Sequence, residues 1–303
     1  MKKVLHRLAV ATVFVAFLAA FASYLRDPGP DPQPQSSAAA AGNECDLSPV
    51  PGYGRGFRYC TFSDEFSGRR LDPSKWLAQK MSDSGYHSGA ECFVDTDKNV
   101  SVSGGLLNLT VQQEAAPFAC ASPGGNYYTQ YTSGTVSTWR RFSQTYGRFE
   151  IRARFPASQL AGLQSALWLY PQELTYGLWP HSGEIDIAET YSKYPDRAIP
   201  YVHYTQPGPD PTATNNACLI DEVSEFHTYA AEWTSTSITI TYDGRTCLVH
   251  SWNPAAPLRK PAPFDQPFIV VLTQALGIGE NAFVPAATPL PATTQVDYVR
   301  VWS

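Results

Sequence analysis

Between Tyr146 and Phe155 the chain alternates. Phe149, Ile151, Ala153 and Phe155 fall on one face, and Arg148, Glu150, Arg152 and Arg154 on the other. A period of two marks a half-buried β-strand and does not suit an amphipathic helix. The same alternation returns from Ser235 to Tyr242 through Ile238 and Ile240. Asp243-Gly244 then leads into Cys247–His250, and an Asp-Gly pair between two such runs signals a hairpin. Leu106–Val111, Phe268–Ala275 and Val296–Trp302 read as further strands. No stretch sustains a helical period. The segment Asp72-Pro73-Ser74-Lys75-Trp76 supports at most one short turn, with Asp72 as its cap. The 25 prolines and 21 glycines are spread through the connections. An all-β antiparallel sandwich or barrel follows.

The first 43 residues are not expected to join that fold. Lys2, Lys3 and Arg7 precede an apolar run from Leu8 to Ala22, and Ala20-Phe21-Ala22 offers a cleavage site. Residues 1–25 therefore read as a secretory signal peptide or, if uncleaved, a membrane anchor. Residues 26–43, with Pro28, Pro30, Pro32 and Pro34 followed by a Ser/Ala run, read as an extended linker. Residues 44–303 are expected to form one domain around one core. A secreted monomer is the expectation, held at a membrane if the first segment stays uncleaved. Net charge is −5 with the signs interspersed, and no basic cluster lies beyond the first residues, which argues against nucleic acid. Six cysteines behind an export signal point to three disulfides. Pairing neighbours in sequence gives Cys45–Cys60, Cys92–Cys120 and Cys218–Cys247; the alternative is that one pair stays as two buried thiols.

One segment carries chemistry. Trp179-Pro180-His181-Ser182-Gly183-Glu184-Ile185-Asp186-Ile187-Ala188-Glu189 places three carboxylates within six residues of an otherwise apolar strand. Like charges this close raise one another's pKa, which a strand selected only for stability would avoid. Hydrolysis of a glycosidic bond with retention needs two carboxyl groups about 5–5.5 Å apart, one ionised and one protonated. Glu184 and Asp186, two apart, share a face. Glu189 is an odd step from Glu184, so it reaches that face only if a β-bulge at Ile187-Ala188 absorbs one residue. The bland reading is a solvated strand face carrying scattered acids, with Glu189 in a turn.

The segment resembles the active-site strand of glycoside hydrolase family 16, laminarinase-like group, whose pattern is Glu-x-Asp-x-x-Glu after Trp-Pro and Gly. Asp64-Glu65-Phe66, Tyr131-Thr132-Ser133-Gly134, Tyr146–Arg152, Phe226–Tyr229 with Glu232-Trp233, and Asp297–Val301 are similar to other family segments in the same order. The resemblance spans about Phe62 to Trp302. It implies a jelly-roll sandwich of two antiparallel sheets with a concave substrate cleft. Glu184 would be the nucleophile, Asp186 its helper and Glu189 the acid/base, acting on β-1,3-glucan or mixed-linkage β-glucan. No cofactor is implied for the chemistry. A structural calcium ion is implied on the convex face, at Glu65, the Gly105 carbonyl and Asp297. Trp179 and Trp168 are candidates for stacking on sugar rings, or ordinary core. His203 is similar to a family histidine near the nucleophile. Thr273-Gln274 replaces an Asn-bearing stretch, and Gln274 is a candidate for a sugar hydroxyl. The alternatives are a non-catalytic glucan-binding module, which the three retained acids disfavour, and a hydrolase or transglycosylase acting on another β-linked polysaccharide such as a galactan.

Overall fold

The computed structural model describes Cys45, Phe57, residues 59–86 and residues 88–303. The expected signal peptide or anchor and the linker lie outside the described residues. The strands are β1 (Cys60–Asp64), β2 (Leu77–Ala78), β3 (Cys92–Phe93), β4 (Val100–Ser103), β5 (Leu106–Cys120), β6 (Tyr127–Ser133), β7 (Thr135–Ser137) and β8 (Gly147–Arg154). They continue as β9 (Leu163–Pro171), β10 (Glu184–Tyr191), β11 (Ile199–His203), β12 (His227–Trp233), β13 (Ile238–Tyr242), β14 (Arg245–His250), β15 (Phe268–Leu276) and β16 (Ala292–Trp302). One sheet runs β14-β13-β12-β8-β16-β5-β6-β3, with β1 beside β16 and β4 beside β5. The other runs β11-β10-β9-β15-β7-β2. Pairing is antiparallel apart from β3 with β6. This is the expected jelly-roll sandwich.

The core lies between the sheets, because each strand turns every second residue inward. Phe149, Ile151 and Ala153 of β8 meet Leu167 and Leu169 of β9, Ile185 of β10, and Val270 and Leu272 of β15, all with no exposed surface. The Asp243-Gly244 hairpin joins β13 to β14 with positive φ at both residues, 48° and 76°. Two left-handed residues make the turn whose twist matches the strands, and Gly244 adopts it without steric cost. The segment at Asp72 is a turn: Trp76 N donates to Asp72 O at 2.9 Å, and Ser74 N to Asp72 Oδ1 at 2.8 Å.

The polar face of β8 departs from the simple alternation. Arg148 and Glu150 are buried as well. Arg148 donates to Glu150 Oε2 at 2.6 Å and to Glu232 Oε1 at 2.7 Å, and Tyr298 Oη donates to Glu150 Oε1 at 2.9 Å. Strands β12 and β16, which flank β8, supply those partners.

Two of the expected disulfides are present, Cys45–Cys60 and Cys92–Cys120. The third is not: Cys218 and Cys247 are buried free thiols. They meet through an S–H···S hydrogen bond that pushes the Cys218 thiol up and the Cys247 thiol down. Proximity in sequence put the right residues side by side, but the contact they make is hydrogen-bonded, not covalent.

Removing one partner of a buried ion pair leaves uncompensated charge. Arg148→Met, which strands Glu150 and Glu232, is therefore expected to cost about 3–5 kcal/mol in urea unfolding at neutral pH. A loss below about 1 kcal/mol, the scale of an exposed pair, would contradict the buried cluster.

Candidate active site

The site is built on β10. Opposite β9, Ile185 faces Leu169 and Asp186 faces Trp168, then Ala188 faces Leu167 and Glu189 faces Ala166, so Ile187 is skipped. Opposite β11, Asp186 pairs with Tyr201 and Glu189 with Ile199, leaving two β10 residues against one. That is a β-bulge, at the position the odd spacing requires. Ile187 and Ala188 both turn into the core, each 0% exposed. Alternation then restarts one residue late. Glu184, Asp186 and Glu189 consequently share the outer, concave face. They line a cleft together with Tyr86, Gln164, Trp168 and Thr273.

The residue before the strand is constrained too. Gly183 has φ of +83°, and a Cβ there would lie 2.8 Å from the Phe264 ring. A left-handed backbone with no room for a side chain admits only glycine, and it fixes where Glu184 leaves the loop.

The three carboxyls are almost wholly buried, at 4%, 2% and 3% exposure for Glu184, Asp186 and Glu189. Burial favours the neutral form of each. It pushes Asp186 and Glu189 up to about 8. Glu184 also rises well above the usual range, through burial first and then the charges of Asp186 and Glu189; the Trp179 indole opposes that rise. Three carboxylates so close in a water-poor cleft cannot all ionise. Glu189 Oε1 accepts from Tyr191 Oη at 3.0 Å and from Gln164 Nε2 at 3.1 Å. With two donors on Oε1, the proton of a neutral Glu189 sits on Oε2. His203 Nε2 lies 3.0 Å from Asp186 Oδ2, and burial pulls the histidine down to about 4, so it is neutral through most of the working pH range.

The other expected residues divide. Trp168 forms part of the cleft wall, its indole donating to Thr273 Oγ1 at 3.1 Å, with Tyr86 and Tyr170 packed on its ring. Trp179 is half-buried, its ring 5.6 Å from that of His203, and His203 stacks on Tyr201. Gln274 is a correction. It is 0% exposed and points between the sheets, where Ser165 Oγ and Thr294 Oγ1 donate to its Oε1 and its Nε2 donates to the carbonyls of Gln164 and Ala275. Its neighbour Thr273, opposite Ala166 in the register, faces the cleft instead.

The implied calcium ligands do not fit an ion. Glu65 is held bidentately by Arg300, at 2.7 and 2.8 Å, and Asp297 by Arg152. A site for Ca²⁺ needs six to eight oxygens free to face it, and here an arginine occupies each carboxylate.

Several site residues were not anticipated. Tyr191 is two residues past Glu189, and Gln164 two steps of alternation from Trp168, so strand period alone reaches both. Tyr86 and Ser88 come from a loop with no sequence signal. Fully buried Glu91 anchors that loop, accepting from Ser88 Oγ at 2.7 Å, Gly89 N at 3.1 Å and Leu276 N at 3.2 Å.

Comparison with known proteins agrees with this picture. Residues 59–303 match a family profile described as "Beta-porphyranase A-D, GH16 domain". A "Beta-glucanase" of Rhodothermus marinus is 34% identical, the match covering 80% of this chain and 84% of that protein. A "Glucan endo-1,3-beta-glucosidase A1" of Niallia circulans is 31% identical over 80% of this chain, which spans only 37% of that longer relative. Among solved structures, the Rhodothermus marinus laminarinase superposes with a TM-score of 0.67 at 32% identity, covering 80% of this chain and 96% of that one.

The raised carboxyls make stability depend on pH in a definite sense. The folded state binds the Glu189 proton up to about pH 8, whereas an unfolded glutamate releases it at about pH 4.3. Folding is thus favoured at low pH by this group, and the contribution is lost as pH rises through that window. Glu189→Gln is expected to raise Tm relative to the parent at pH 8 and to leave it little changed at pH 4. A larger gain at pH 4 would contradict the raised acid.

Proposed function

The chain belongs to glycoside hydrolase family 16, and on that premise we propose that it is an endo-acting, retaining hydrolase of β-1,3-glucan of the laminarin type or of mixed-linkage β-glucan. The observation that carries the mechanism is the bulge that brings Glu189 onto the face of Glu184 and Asp186. Glu184 attacks the anomeric carbon as Glu189 Oε2 protonates the departing glycosidic oxygen. The C–O bond of the glycoside breaks and an ester bond to Glu184 forms. Water then attacks the same carbon, Glu189 takes its proton, and the Glu184 carboxylate leaves with overall retention.

The remaining residues set protons and position. The hydrogen bond between Asp186 and Glu184 raises Glu184 and lowers Asp186 in the free protein, so the proton they share has to pass to Asp186 for Glu184 to carry the charge that makes it a nucleophile. Neutral His203 orients Asp186. Tyr191 and Gln164 fix the face of Glu189 that points to the leaving group. Trp168 and Trp179 offer aromatic surface to the sugar.

The names of the relatives support the glucan reading, as does the bulged spacing, which in this family goes mainly with β-1,3-glucan. The porphyranase description of the matching profile supports a second reading, a galactan substrate in the same cleft. Secretion belongs to the same proposal and rests on the N-terminal apolar run and the two disulfides.

Reducing-end release from laminarin, mixed-linkage glucan, agar and carrageenan separates the two substrate readings: activity on the glucans alone is expected, and activity confined to a galactan would overturn that choice. Glu184→Ala and Glu189→Ala are each expected to lower kcat on the preferred polysaccharide, on the order of 10²–10⁴-fold for loss of the acid/base. Glu189→Ala alone should recover much of the loss on an aryl glycoside with a good leaving group, which needs little protonation. Near-normal polysaccharide turnover by either variant would end the assignment.

A further inference from the structure

A bulge removes a residue from the ladder, and its backbone must still be satisfied in a water-free core. Ile187 is that residue, out of register with both β9 and β11. The hydroxyl of Tyr242 donates to the Ile187 carbonyl at 2.9 Å. Tyr242 belongs to β13 of the opposite sheet, so this bond crosses the sandwich interior. The tyrosine is 2% exposed, its ring edge-on to Tyr229 with centroids 5.0 Å apart. A phenol is a costly group to bury in an apolar core unless its hydroxyl finds a partner, and this one reaches the strand at the carbonyl of the bulge.

We propose that Tyr242 is a positioning residue that holds the β10 bulge, and through it Glu189, on the catalytic face. The inference rests on the acid/base reading of Glu189. Without the hydroxyl, the Ile187 carbonyl is left facing apolar side chains, and the way to satisfy it is a return toward the regular ladder. A shift of one residue turns every downstream side chain to the other face, which rotates Glu189 toward the core while leaving Glu184, upstream of the bulge, in place. Burial keeps the phenol protonated, so the donor persists across the working pH range.

The test is Tyr242→Phe in the full chain, which keeps the ring and removes one oxygen, with Tyr229→Phe as a control for loss of a buried hydroxyl and Glu189→Ala run beside them. Activity is measured on laminarin and on a dinitrophenyl β-glucoside oligosaccharide. For Tyr242→Phe, kcat on laminarin is expected to fall on the order of 10–100-fold, as for a misplaced catalytic group. KM should be little changed, and the dinitrophenyl substrate should be largely spared. Tyr229→Phe should show no such split between substrates. A lower Tm with kcat intact, or an equal loss on both substrates, would refute the positioning role. If Glu189→Ala itself shows no leaving-group dependence, the acid/base reading falls and this inference with it; if Glu189→Ala shows it and Tyr242→Phe does not, only the role of Tyr242 is overturned.

Discussion

The alternation of a β-strand has a period of two, and the step from Glu184 to Glu189 is odd. Everything at the site depends on how β10 resolves that conflict. It places Ile187 and Ala188 in succession against the core, both fully buried, and resumes its pairing with β9 one residue late. The hydrophobic sandwich thereby determines the chemistry. Two adjacent apolar residues have a common place to go, and the acid that follows them is delivered to the concave face. Gly183 before the strand and the pairing of Thr190 and Tyr191 with Ser165 and Gln164 after it hold both ends of the arrangement.

That arrangement runs against stability. Three carboxyls share a buried cleft in which burial raises all of them and the charges of neighbouring acids raise Glu184 and Glu189 further. The surrounding groups distribute the resulting protons and do not cancel the charge: no arginine or lysine pairs with these acids among the described residues, while arginines neutralise Glu65, Glu150, Glu232 and Asp297 elsewhere on the sheets. A cation beside Glu189 would lower its pKa and remove the proton it must donate. The neutral donors Tyr191 and Gln164 orient the group at much smaller electrostatic cost.

Much of this was legible in the chain. The alternation of β8 and the β13–β14 hairpin with its Asp243-Gly244 turn were readable because strand period and turn chemistry are local properties. The bulge was readable because catalysis demands a shared face and the spacing forbids it without one. What failed to read depended on register or on distant partners. Nothing local tells which of the neighbours Thr273 and Gln274 faces the cleft; only the pairing of Thr273 with Ala166 decides it. The arginines on Glu65 and Asp297 lie on other strands or at other registers, so a carboxylate expected to hold calcium proved to hold a guanidinium. Cys218 and Cys247 were brought together correctly, but their state is set by the geometry of the contact. Tyr86, Ser88 and Glu91 came from a loop whose sequence carries no period, and Tyr242 acts across the sandwich from a strand that reads as ordinary core.

The central claim is that Glu184 forms a covalent bond to the sugar while Glu189, turned by the bulge, serves as acid and base. The most direct measurement is mass spectrometry of the enzyme after reaction with a 2-deoxy-2-fluoro β-glucosyl oligosaccharide bearing a good leaving group, which slows release of a covalent intermediate. The account predicts one added glycosyl unit on the peptide containing Glu184, bound through that residue. Label on Glu189, or no covalent adduct together with a first product of α configuration, would contradict it.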